Sequence, residues 1–371
     1  MPILSLRYDL RRAPFDATTS ADLVATALEQ CEWADRLGFA TVTLSEHHGS
    51  PDGYLPSPLV FGAAVAARTR TLRLVIAALI AQELGRALAP IPFGPSTYLV
   101  TEALLEFGSE EQKRKFLPRL VSGELIGTYA QSERAGRSGV AAVTTTFAGG
   151  ALSGVKFPVP DGAIAGLALV VAKGDAGPLL ALAPLDAPGV EVTPVGSIDP
   201  SRPASRIAFD GARGEALANG AGEAAILHLL DRAAVLMAFE QIGGAERALE
   251  VTRDFTLHRY AFGRPVASFQ TIKHRLADIY AAIQLATSNA YYGAWALSTG
   301  APELAVAACG ARIASSEAFD IAGKDIIQMH GGVGFTWEYD CHLFYRRAKL
   351  LSLSLGTPGE WRDRLIDRLE A

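Results

Sequence analysis

The sequence predicts a multi-domain α and β protein, and three observations carry that reading. Residues 1–80 alternate short β-branched runs with amphipathic helical ones in the order β-α-β-α-β, which implies parallel strands and right-handed crossovers. Residues 124–217 are rich in Gly, Pro, Val and Thr, with short strands between turn signals, the pattern of a small antiparallel barrel or sandwich. Residues 218–371 hold four long runs of helical period, which predict an antiparallel four-helix bundle. A short helical segment at 81–123 lies between the first region and the second.

In the first region, Ile3–Tyr8 alternates and reads as a strand. Ser20 caps a helix with Leu23, Ala27, Cys31 and Ala34 on one face, ended by Gly38. Ala40–Leu44 reads as a second strand. Ser57-Pro58 is a cap followed by proline at the first helical position, so a helix runs to about Arg68. Leu72–Ala77 is the third strand, although Leu74–Leu88 is ambiguous, strand-like in its first half and helix-like in its second.

Ser96–Phe107 reads as a helix, and Ser109 with Gln112 forms a capping box that opens another, to about Val121, ended by Gly123. Strands are expected at Gly127–Gln131, Ala141–Phe147, Leu167–Ala172, Leu179–Ala183, Val190–Pro194 and Ser205–Phe209. The bundle helices are about Glu223–Thr256, Phe269–Leu297, Ala301–Met329 and Asp340–Leu353, with a short one from Gly359. Gly243-Gly244 interrupts the first, and close packing against a neighbour explains adjacent glycines there. Between the first two helices, Gly263 and Pro265 supply a tight turn. It carries Arg259 and Arg264, whose guanidiniums suit a phosphate group, or serve equally as a solvated helix end.

Net charge is −5 with no strongly basic tract, which argues against nucleic acid. No apolar run reaches the eighteen or so residues of a bilayer span. The N-terminus reads as a strand and not a signal peptide. Cys31, Cys309 and Cys341 have no metal-ligand spacing and read as buried thiols of a reducing cytoplasm.

Two families are resembled. Ser45-Glu46-His47-His48-Gly49 and Tyr54-Leu55-Pro56-Ser57-Pro58 resemble the opening of the luciferase-like flavin-dependent monooxygenases. That likeness implies a fragment of a TIM-type barrel over about 1–80, too short to close or to complete that family's cofactor site. Residues 81–371 resemble the acyl-CoA dehydrogenases, lacking their first helices. The motifs are Ala81–Pro92, Tyr129–Gly136, Arg259-x-x-Phe262-Gly263-Arg264 with Phe269-Gln270, the Gly-rich run Gln328–Glu338, and Arg346-Arg347-Ala348-Lys349. The chain then divides as 1–80, 81–123, 124–217 and 218–371.

The second resemblance implies FAD, an acyl-CoA substrate and an electron-transfer acceptor protein. It also implies a homodimer, a tetramer or a hetero-oligomer with a related subunit. It assigns Ser132, Arg259, Phe262, Gln270, Gln328, Gly331, Gly332 and Thr357 to the cofactor, with the Gly-rich corner reaching the neighbouring subunit's flavin. Read alone, the stretch around Ser132 is also a polar β-turn, and the Gly-rich corner also a helix stop. The chain departs from the family at Arg134, Arg137 and Gly139, and at Pro158 and Pro160, where an aromatic and a hydroxyl usually face the flavin.

The family's reaction needs a carboxylate to take the α proton of the thioester. Its two usual positions hold Leu355 and Tyr260, and a phenol with an ordinary pKa of about 10 is a poor base. Glu338, Asp340 and Glu360 read as surface groups. The expectation is an acyl-CoA dehydrogenase-like flavoprotein that depends on a partner or is inactive. The alternatives are a scaffold subunit without flavin and a luciferase-like monooxygenase.

Overall fold

The computed structural model describes residues 5–8, 18–39, 41–44, 65, 68–69, 73–134 and 139–370. Strand β1 (Ser5–Tyr8) pairs in parallel with β2 (Thr41–Leu44), Ser5 opposite Thr41, and α1 (Ser20–Arg36) crosses between them. The cap of α1 is Thr19, one residue before the expected Ser20. Its hydroxyl accepts the Asp22 amide at 3.2 Å and its own amide donates to the Asp22 carboxylate at 3.0 Å. Gly38, at φ +80°, follows the helix end. Ala27, Leu28, Cys31 and Val42 form a small core. Ser45–Gly49, the Tyr54–Pro58 stretch and most of the helix expected before Arg68 lie outside the described residues.

The third strand is not formed. Arg73–Ile76 instead starts helix α2 (Arg73–Arg86). The helix-like second half of the stretch carries its first half with it, and that second half lies against α5 (Glu223–His258) along a glycine seam. A Cβ on Gly85 would sit 1.9 Å from the Glu240 carbonyl oxygen, and one on Gly243 would sit 1.9 Å from that of Gln82. The expected close packing at Gly243-Gly244 is therefore present, and α5 runs through it unbroken. Gln82 donates to Glu246 and Arg86 to Glu250, both at 2.9 Å, beside the seam.

The expected helix at Ser96–Phe107 is π-helical over Gly94–Thr101 and becomes α3 only at Glu102–Phe107. Thr101 donates its hydroxyl to the Ser96 carbonyl, five residues back, the spacing of the wider turn. Helix α4 (Glu110–Val121) opens on the expected capping box, Ser109 with Gln112.

The central region is one mixed sheet of eight strands, not a purely antiparallel one. Its main ladder runs β10 (Glu215–Ala221), β7 (Gly177–Pro184), β6 (Leu167–Gly174), β4 (Thr146–Ala148), β5 (Ala151–Pro160), β9 (Ala204–Arg213), β8 (Val190–Val195). β3 (Gly127–Ala130) joins β6 in parallel. Both faces are covered: Leu167, Leu169 and Val171 enter the core shared with the helices, while Ala168, Val170 and Ala172 pack on the other side.

The strand expected at Ala141–Phe147 is a 3₁₀ turn, Val140–Ala142, followed by the short β4. Glu133 is the reason: its carboxylate accepts the amides of Thr144 and Thr145 at 2.7–2.9 Å, so they are not offered to a ladder. β5 and β10 are additional strands.

Helices α5, α6 (Gln270–Thr299), α7 (Leu304–His330), α8 (Cys341–Leu353) and α9 (Pro358–Glu370) make the C-terminal layer. Trp361 anchors α9, fully buried with its indole N–H donating to the Leu355 carbonyl at 3.1 Å. Cys31, Cys309 and Cys341 are buried free thiols. No helix among the described residues is long and apolar enough to cross a membrane.

Candidate active site

A cavity of about 350 Å³ opens where the sheet meets the helical layer. Tyr129, Gln131 and Ser132 line it from the end of β3, Pro158 and Pro160 from β5, Gly94 and Leu99 from the π-helical turn, Met237 and Glu240 from α5, and Leu351 and Leu355 from the end of α8. Ser132 is half-buried and lines the cavity, and its carbonyl accepts the Phe157 amide at 2.8 Å.

Buried Lys156 stiffens this wall. It donates to the Gln131 carbonyl at 3.0 Å and to Glu133 at 2.9 Å. Burial pushes the Glu133 carboxyl up, but hydrogen bonds from Thr144, Thr145 and Lys156 outweigh that and hold it at about 2.

The opposite wall is held by Arg312, fully buried at 1 % exposure. It donates to Gln241 and Ser316 on one side and to the Leu351 and Ser354 carbonyls on the other, capping the end of α8. Burial pushes its guanidinium down to about 9. Leu355 follows in the left-handed region, φ +62°, then Gly356 at φ +104°. Thr357 is committed as the cap of α9. Its amide and hydroxyl both donate to Glu360, and its hydroxyl accepts the Glu360 amide in return.

The residues expected to hold the cofactor fall into two groups. Ser132 is in the cavity, with Thr357 just beyond its rim at Gly356. Arg259, Phe262 and Gln270 are on an exposed corner formed by the ribbon β11 (Tyr260–Ala261) and β12 (Arg264–Pro265). Phe262 and Gly263 turn it at φ +52° and +78°, the two-residue hairpin geometry. Arg264 stacks on the Phe269 ring at 4.0 Å, and both it and Arg259 are exposed.

Gln328, Gly331 and Gly332 are also exposed, on the corner after α7. The two corners meet at one end of the helical layer, where His330 stacks on Phe255 at 4.0 Å. A Cβ on Gly331 or Gly332 would meet open space, although Gly331 sits at φ +65°. Neither corner lines the cavity of its own chain.

Of the two base positions, Leu355 lines the cavity and Tyr260 does not, being 66 % exposed on the corner. The sequence reading missed Arg202 and Glu240, and named Arg347 only within a motif, with no role. Arg202 donates to Asp161 at 2.9 Å, and Arg347 to Asp199 at 2.6 Å and to the Leu88 and Ala89 carbonyls at 3.2 Å. Arg347 thereby ties α8 to the sheet and to the end of α2. The available signal was Glu240 itself, a carboxylate directly after the apolar run Ala233–Phe239 in a buried helix.

The residues present fit a flavin dinucleotide in their chemistry: Ser132 and apolar side chains line the cavity, and the Arg259 guanidinium and the glycine backbone at Gly331-Gly332 stand exposed. Pro158 and Pro160 add no donor on their edge.

Comparison with known proteins agrees. The pattern of the acyl-CoA dehydrogenase C-terminal domain matches residues 220–369, and that of luciferase-like monooxygenases matches residues 10–82. The chain is 34 % identical to the acyl-CoA dehydrogenase IpdE2 of Mycobacterium tuberculosis over 290 residues, 78 % of this chain and 76 % of that one. Its fold is similar to the ChsE4-ChsE5 complex from Mycobacterium tuberculosis, with 24 % identity, TM-score 0.74, and coverage of 94 % of this chain and 88 % of that one. It is also similar to a glutaryl-CoA dehydrogenase from Mycobacterium smegmatis in complex with FADH2, with 23 % identity, TM-score 0.72, and 94 % of each chain covered. The chain belongs to the acyl-CoA dehydrogenase family, the FAD-dependent oxidoreductases of acyl-CoA thioesters.

Proposed function

We propose that this chain is the flavin-holding subunit of an acyl-CoA dehydrogenase whose catalytic carboxylate comes from a related partner. The observation that carries the proposal is Leu355. It occupies the wall of the cavity beside Gly356, where the reaction calls for a base, and it cannot accept a proton.

The chemistry that FAD would supply in this site is acceptance of the β hydrogen of the thioester together with its electron pair. The chain's own residues bind and orient. Ser132 and the neighbouring main chain would face the ring, and Leu99, Met237 and Leu351 give apolar walls that exclude water from the acyl group. Arg259 and Gln270, with Phe262, would grip the diphosphate, and Gln328, Gly331 and Gly332 would reach the nucleotide of a neighbouring chain. Thr357 would close the rim. The α proton would leave to the partner's carboxylate, and an electron-transfer protein is the expected acceptor partner.

Phe262 favours a second chain on the corner. It is 95 % exposed and held at φ +52°, a strained state for an aromatic residue that a contact repays. The similar ChsE4-ChsE5 structure is a complex of two named proteins. In the same reading, residues 1–80 are a TIM-type barrel fragment and the C-terminal helices a four-helix bundle extended by α2.

The test is co-expression with a Glu-bearing homologue, followed by an acyl-CoA assay with an artificial electron acceptor. Activity of the pair, absent from this chain alone, is expected. A yellow chain that turns over acyl-CoA unaided overturns partner dependence, and a colourless one points to the scaffold reading.

A further inference from the structure

Arg202 and Glu240 form a long ion pair inside the cavity, with no hydrogen bond between them. Both are buried, at 8 % and 3 % exposure, and both line the same cavity as Leu99 and Met237. The Nε and Nη2 of Arg202 are spent on Asp161, at 3.2 and 2.9 Å. The Oε2 of Glu240 accepts the Tyr98 hydroxyl at 3.2 Å. What remains is Nη1 of Arg202 and Oε1 of Glu240, facing each other at 3.8 Å. Arg347 stands a similar 3.9 Å from the same oxygen. These separations are too long for hydrogen bonds. A donor and an acceptor, each with charge, thus stand either side of a gap.

Resting on the acyl-CoA reading above, we infer that this pair is a specificity bracket for a hydroxyl on the acyl portion of the substrate. An oxygen seated off the line between the two reaches both at ordinary hydrogen-bond length. A hydroxyl accepts from Nη1 and donates to Oε1, and so satisfies both atoms. A ketone satisfies the guanidinium and sets a lone pair against the carboxylate. A carboxylate group meets the like charge of Glu240. An ammonium meets Arg202 and Arg347. A plain alkyl chain displaces any water and leaves Nη1 of Arg202 and Oε1 of Glu240 without a hydrogen bond, which is the costly case.

The probes are cyclohexanol and methylcyclohexane, alike in shape and free of a thioester that would dictate where the oxygen falls. Their binding to the full chain saturated with FAD is measured by saturation-transfer NMR. Hydrogen bonding to charged groups predicts at least about tenfold tighter binding of the alcohol. Glu240→Gln keeps the shape and removes the charge. It should cut the alcohol's advantage several-fold and leave methylcyclohexane unchanged. Equal affinities for the two probes in the unaltered protein overturn the bracket, even if the variant fails to fold. Flavin absorbance, recorded on the same samples, reports separately on the cofactor reading.

Discussion

Replacing Gly243 by alanine sets two effects of opposite sign against each other. In a helix interior, alanine is favoured over glycine by about 1 kcal/mol. Against that, the new Cβ would sit 1.9 Å from the Gln82 carbonyl oxygen, whereas ordinary contact begins at 3.4 Å. Helix α2 must retreat by about 1.5 Å or α5 must bend. The obstacle is backbone, so no side-chain rotation relieves it. The retreat also stretches Gln82 to Glu246 and Arg86 to Glu250. Overpacking costs about 1–3 kcal/mol and occasionally more. With the lost hydrogen bonds, the net expectation is destabilisation by about 2–3 kcal/mol. Urea unfolding followed by circular dichroism measures it. Gly359→Ala is the control, since the nearest atom to its Cβ is 3.8 Å away in the first turn of α9. It should be neutral or stabilising by up to about 1 kcal/mol. A Gly243→Ala protein as stable as its parent refutes the seam as drawn.

The other predictions concern the site. Arg259→Ala should weaken FAD retention by about 10- to 100-fold, as expected for losing a charged hydrogen-bond donor to phosphate, read as flavin absorbance after gel filtration. Unchanged binding removes the diphosphate role. Leu355→Glu places a carboxylate in the cavity wall and should raise acyl-CoA oxidation by this chain alone by about 100-fold or more over its background. No gain at any pH contradicts the assignment of that position. For Glu133, the folded carboxyl titrates near 2 against its ordinary 4.5. Its contribution is therefore complete above about 4.5 and is lost as pH falls towards 2. The stability gap between the parent and Glu133→Gln should close over that window, and a gap that persists at pH 2 shows that the carboxylate's charge is not what holds Thr144 and Thr145.

Long periodic elements were legible in the sequence. The helices of the C-terminal layer, the Ser109 capping box and the glycine seam follow from spacing and from the backbone freedom of glycine. The failures have particular causes. Val75 and Ile76 are β-branched yet helical, in the first turn of a helix that continues to Arg86. Thr144 and Thr145 have strand-forming side chains, but the Glu133 carboxylate, eleven and twelve residues back, takes their amides. β10, Glu-Ala-Leu-Ala-Asn-Gly-Ala, has no β-branched residue and forms on the edge of β7.

In the site, the corner motifs and Ser132 were found from resemblance, and so was the lack of a carboxylate at Leu355. The pair Arg202 and Glu240 was not. Thirty-eight positions separate them in the chain, and nothing local marks them as neighbours except a charge directly after an apolar run.

The central claim is that the exposed corners and the Ser132 cavity hold FAD across an assembly of chains. The direct measurement is the visible spectrum and solution mass of the purified full chain, before and after FAD is added. Flavin bands that co-migrate with an oligomer, alone or with a related subunit, are the predicted result. A colourless monomer whose spectrum and mass ignore added FAD and a related subunit contradicts it.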